Sequence, residues 1–148
     1  MGIRRESREL ALQFLCQQDA LSKYPRPLPE AWAAFWEMQD HDEAANPFAE
    51  ELSRGVLEHC EAIDAKITAY AQNWKFHRIA LVDRNILRLT VYELLYRDDI
   101  PPVVSINEAI ELAKKFSTGD SGRFVNGILD RVKKDLSRPL RTSAPRVS

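Results

Sequence analysis

The chain has 148 residues, 45% of them hydrophobic and 29% charged, with a formal net charge of −1. That length predicts one domain, and that balance predicts a packed core rather than a disordered chain. No apolar run reaches the roughly 18 residues a membrane span needs, and residues 1–8 lack the apolar stretch of a secretory signal, so the expected location is cytoplasmic.

In chain order, residues 4–21 read as a helix, with Leu10, Ala11, Phe14, Leu15 and Leu21 recurring at helical spacing. Pro25, Pro27 and Pro29 break the pattern. A helix over 29–39 follows, carrying Trp32, Phe35, Trp36 and Met38; its Trp32/Trp36 stripe reads either as core or as the face of a possible homodimer. His41 to Asn46 reads as a loop. Asn46-Pro47 opens the next helical stretch, with Asn as cap and Pro at the first helical position. Apolar residues continue to Tyr70, with a break expected near Glu58–Ala62.

Residues 78–97 are apolar around most of the helix circumference, which predicts a central helix with neighbours on several sides. Pro101-Pro102 ends it. Ser105-Ile106-Asn107-Glu108 has capping-box form and predicts a helix start there, running to about Phe116. Ser117–Gly122 reads as a turn, with Asp120 capping a last helix to about Leu136. No segment alternates with strand period, so the fold class is all-α, about seven helices with short connections.

The charge is uneven. Arg4, Arg5 and Arg8 stand against Glu6 at the start, and residues 131–148 are basic. Between Glu30 and Asp64 lie ten acids and one base, Arg54. Basic ends with an acidic middle suit a polyanion on one face; ordinary solvated surface is the simpler reading of charge alone. Cations at a helix start oppose the helix dipole, and Arg4 and Arg8 share a face. That cost predicts a compensating polyanion, or a nearby carboxylate such as Glu9. Asp83, Arg84 and Arg88 interrupt the apolar helix and are expected to face solvent or a partner, since unpaired buried charge is expensive.

Catalytic constellations are not apparent. Gly119-Asp120-Ser121-Gly122 repeats the string around the nucleophile of chymotrypsin-like proteases, but a helical chain with no base placed beside Ser121 points to a turn instead. Cys16 and Cys60 read as buried thiols, and His41, His59 and His77, 18 residues apart, match no metal signature. No enzyme activity, metal or cofactor is expected. At the turn before the last helix, free backbone N–H groups, the Arg123 cation and the Phe124 ring suit single-stranded nucleic acid. The competing reading makes Phe124 core and Arg123 solvated.

Several strings resemble one family. Asp83-Arg84-Asn85-Ile86-Leu87-Arg88-Leu89-Thr90-Val91-Tyr92-Glu93-Leu94 resembles the central helix of NusB proteins. The likeness is more specific over Ile106-Asn107-Glu108-Ala109-Ile110-Glu111-Leu112-Ala113 and Phe124-Val125-Asn126-Gly127-Ile128-Leu129. The Arg4–Arg8 segment resembles the family's Arg-rich opening. The resemblance spans 4–134.

It implies a single domain over 1–136, built from two small helical subdomains (about 1–75 and 76–136); residues 137–148, with Pro139 and Pro145, read as a loose basic tail. It implies a transcription antitermination factor without catalysis or cofactor. Such a factor pairs with the ribosomal protein NusE and binds boxA-type single-stranded RNA. Within an RNA polymerase antitermination complex, it promotes read-through of ribosomal RNA operons. The RNA-facing positions carried over are Arg4, Arg5, Arg8, Asp120, Arg123 and Phe124. The partner-facing ones are Asp83 and Cys16, the latter at a position where many members have Tyr. Glu6 interrupts the Arg run, and each phosphate contact contributes about −0.7 to the log–log salt slope, so a shallow salt dependence is expected. The alternative is the same fold kept as a protein adaptor that has lost most RNA binding.

Overall fold

The computed structural model describes residues 2–21, 28–37, 43–71, 78–117 and 119–136, with 28 and 119–121 described by backbone alone. Among these the chain forms α1 (Ile3–Ala20), α2 (Leu28–Glu37), a 3-10 turn (Glu43–Ala45), α3 (Asn46–Glu58), α4 (Cys60–Ala71), α5 (Leu81–Tyr96), α6 (Pro102–Phe116) and α7 (Gly119–Asp135), and no strand. The fold is all-α. The boundary expected near residue 75, His41, His77 and the tail from 137 lie outside the described residues.

The central-helix expectation holds. Helix α5 packs against α1, α3, α4, α6 and α7. Ile86, Leu87, Leu89, Val91 and Leu94 are all buried along it. Each such side chain withdrawn from water contributes about 1.5–3 kcal/mol before the entropy of ordering it is counted.

Buried apolar residues fall into two groups. The larger draws on α1 and α3–α7. The smaller gathers Leu10 and Phe14 of α1 with Ala31, Trp32 and Phe35 of α2 and with Ala45 and Ala49. There the Phe14 ring meets Trp32 edge-on at 4.7 Å, and Trp32 is only 8% exposed. Trp36 packs against the same group. Trp32 therefore belongs to the core, while Trp36 is half-buried against it.

Three helix starts differ from expectation. Helix α6 begins at Pro102, three residues before the capping-box serine. Pro102 supplies a fixed φ and lacks the N–H that a first helical position leaves unpaired anyway. Ser105 therefore lies inside the helix, and its hydroxyl donates to Glu93 Oε1 at 2.9 Å. Helix α7 begins at Gly119, so Asp120 sits in its first turn and does not occupy the cap. Before α3 the 3-10 turn runs directly into the helix, leaving Ala45 rather than Asn46 at the cap position.

Candidate nucleic-acid interface

The N-terminal arginines share one stretch of α1 but have three different fates. Arg4 is exposed, with its guanidinium 4.5 Å from the centre of the Phe48 ring. Arg5 is also exposed; its Nε and Nη2 donate to the two carboxylate oxygens of Glu108 on α6, at 3.0 and 3.2 Å. Arg8 is buried. Its Nε and Nη2 donate to Glu93 on α5 at 2.9 and 2.8 Å, with side chains 3% and 2% exposed.

The sequence groups Arg8 with Arg4 and Arg5 as RNA-facing, whereas the structure buries its side chain. A guanidinium forked onto a buried carboxylate that also accepts from Ser105 ties α1 to α5 and α6. The compensation expected for cations at a helix start exists, but within the chain. Glu108 serves Arg5, Glu93 serves Arg8, and the Phe48 face serves Arg4. Glu9, named from sequence as the nearby acid, instead accepts from Lys115 Nζ at 2.9 Å.

The Arg5–Glu108 and Lys115–Glu9 pairs border a groove of about 250 Å³ between α1 and α6. Arg5 and Glu9 line it from one side, and Glu108, Glu111, Lys114 and Lys115 from the other. Lys115 lies in the last turn of α6, with its Nζ 5.5 Å from the centre of the Phe116 ring. Helix α7 begins three residues after α6 ends at Phe116. There Arg123 is exposed, while Phe124 is half-buried and packed on the larger core. The reading of Phe124 as a core residue holds in so far as it packs against that core while staying half-buried. The side chains of Asp120 and Ser121 lie outside the described residues. Sequence reasoning missed Glu93, Glu108 and Phe48 as partners of the arginines. Each lies 40 or more residues from its partner, and no local spacing reveals it.

The two residues expected to face a partner are Cys16 on α1 and Asp83 on α5. Asp83 is 2% exposed, and its carboxylate accepts a hydrogen bond from the Ser117 hydroxyl. The expectation that Asp83 faces solvent is not met; its carboxylate joins the start of α5 to the end of α6 through the Ser117 hydroxyl. Arg84 and Arg88 also find partners within the chain. Arg84 Nε donates to Asp19 at 2.8 Å; Arg88 reaches Asp19 at 3.0 Å and both oxygens of Asp64 at 2.8 and 2.9 Å. Asn85 donates to the same Asp19 oxygen at 2.9 Å. Cys16 lies half-buried beside this network. Burial first, and the Asp19 carboxylate second, push its thiol up to about 11.

Other sequence features resolve simply. The Gly119–Gly122 string forms the first turn of α7, and His59 stacks on Tyr96 at 4.0 Å. Among the described residues, no group of three or more His, Cys, Asp or Glu is placed to hold a metal. None of the described helices is long and apolar enough to cross a membrane.

These residues give an all-helical protein a surface with exposed guanidiniums, a groove lined by ion pairs, and a half-buried ring next to a cation near the start of α7. Comparison with known proteins places it further. The NusB family model matches residues 5–134. A transcription antitermination protein NusB of Methylacidiphilum infernorum is 46% identical, over 96% of this chain and 98% of its own length. That of Geobacter sulfurreducens is 50% identical, over 92% and 97%. Among solved structures, T. maritima NusB superposes with a TM-score of 0.78 at 39% identity, over 91% of this chain and 93% of that one. A crystal structure of the antitermination factors NusB and NusE in complex with dsRNA superposes at 0.77 and 27% identity, over 90% and 98%. The chain belongs to the NusB family.

Proposed function

We propose that this chain is a transcription antitermination factor that binds boxA-type RNA together with NusE and promotes read-through of ribosomal RNA operons. The observation that carries this reading is coverage. The family match runs from Arg5 through Lys134, so every candidate contact except Arg4 lies inside it. A relative of the same fold was solved with NusE and dsRNA. The exposed Arg4, Arg5 and Arg123 with the accessible part of Phe124 supply what single-stranded RNA needs: phosphate-binding cations and a face for a base. Arg8 and Asp83 have no direct contact in this reading; they hold the helices that carry the surface.

Phe124→Leu and Arg123→Ala test it. Leucine keeps most of the packed volume and removes the ring face. Base stacking contributes about 1–3 kcal/mol, so RNA affinity should fall at least about fivefold while the melting temperature stays close to wild type. Unchanged affinity in both variants contradicts the site. Without RNA contacts the same fold reduces to an adaptor for NusE.

A further inference from the structure

We propose that Glu108 and Glu9 limit RNA affinity by holding Arg5 and Lys115 in ion pairs that a phosphate must displace. The proposal rests on the RNA-binding reading above and concerns how that surface is regulated. Arg5 is forked onto Glu108 through two bonds, and Lys115 Nζ lies within 3.0 Å of both Glu9 oxygens. Both pairs line the groove between α1 and α6. The cations are about half exposed, at 45% and 50%, while their carboxylates are at 17% and 13%. The acids are the anchored partners and the cations the accessible ones. A phosphate presents the same geometry to a guanidinium as a carboxylate does. Exchange therefore needs no rearrangement of α1 or α6; only the ends of the Arg5 and Lys115 side chains move.

Two consequences follow from the exchange. Binding forfeits the internal pair, so affinity is lowered by what that pair is worth. The released carboxylate also recruits a counterion as the phosphate loses one, so Arg5 adds almost nothing to the salt slope. Replacing Glu108 with its neutral isostere removes both effects.

The test is binding of a fluorescent boxA-type RNA to the full chain with NusE, over a salt series, for wild type, Glu108→Gln, Glu9→Gln and Glu61→Gln. Glu61 is exposed on α4 and removes the same unit charge away from the groove. Glu108→Gln and Glu9→Gln should each bind about two- to fivefold tighter, the worth of one exposed ion pair. Each should steepen the log–log slope by about 0.7. Glu61→Gln should match wild type. Equal affinities in all four proteins, weaker binding by the groove variants, or an equal gain in Glu61→Gln each overturn the proposal. If wild type itself binds no RNA at any salt, the RNA-binding reading has failed, and this proposal falls with it. Thermal melts of each variant confirm that the fold is retained.

Discussion

At the scale of single residues, burial decides the meaning of a charge. Arg8 and Arg5 are three positions apart on α1, yet one holds the fold together and the other sits on the surface. Truncating one partner of a buried pair strands the other, which costs about 3–5 kcal/mol. Arg8→Gln should therefore lower the urea midpoint sharply, whereas Arg5→Gln should leave it nearly unchanged. The reverse order would contradict the assignment of Arg8 to the interior. Cys16 gives a pH signature. Its thiol binds its proton more tightly in the fold than in the unfolded chain, where the ordinary value is 9.0. Its contribution to stability is complete below that value and is lost as pH climbs toward about 11. Correspondingly, alkylation of Cys16 should stay slow at pH 8–9 in the native protein and accelerate on unfolding. The sequence shows that Arg4 and Arg8 share a face, and both do approach Phe48, at 4.5 and 5.5 Å. It does not show that Glu93, 85 positions away, claims Arg8. Nor does it show that Ser117 claims Asp83 across 34 positions. Pairings of that range depend on how helices pack, which residue type and spacing do not encode.

At the scale of elements, helix contacts set which substitutions are tolerated. Gly55 on α3 lies against the ring of Tyr92 on α5, and a methyl group there would overlap it. Ala is the better helix former by about 1 kcal/mol, but forcing volume into a packed crossing costs about 1–3 kcal/mol. Tyr92 is 8% exposed and its ring belongs to the core, so the packing cost wins and Gly55→Ala should destabilise. Gly127 on α7 has nothing within 4 Å of the same methyl position. Gly127→Ala should accordingly gain about 0.5–1 kcal/mol. Opposite shifts in denaturant midpoint for the two variants would support this account; equal shifts would contradict it. Helix α5 was legible in the sequence because apolar residues surround it, and a helix buried on all sides needs that pattern. The start of α6 was misread because Ser105 and Glu108 have the spacing of a capping box. Both instead reach other helices, Ser105 toward Glu93 and Glu108 toward Arg5. Identical spacing serves a local or a tertiary bond, and Pro102 decides between them by starting the helix early.

At the scale of the whole molecule, the two buried groups share helices. Leu10 and Phe14 of α1 belong to the smaller group, while Ala11, Leu12 and Leu15 belong to the larger. Helix α3 is divided likewise, with Ala49 in one and Leu52 in the other. Losing either group removes support from α1, so the chain should unfold in one transition. Tryptophan fluorescence, with two of its three sources in or against the smaller group, should coincide with far-UV circular dichroism across a urea titration. Separated curves would mean two independent units. The proposed function adds a surface to this frame, with Arg4, Arg5, Arg123 and Phe124 facing RNA and the acids of the groove restraining the cations. Its central claim is that RNA and NusE bind this chain together. The most direct test is titration of a boxA-type RNA and a scrambled control, with and without purified NusE, from low to high salt. The account predicts tight binding of boxA-type RNA when NusE is present, loss with the scrambled RNA, and a log–log salt slope of about −1.4, corresponding to phosphate contacts by Arg4 and Arg123 at about −0.7 each. NusE binding that RNA leaves unchanged at every salt concentration would contradict it and leave the fold as a protein adaptor.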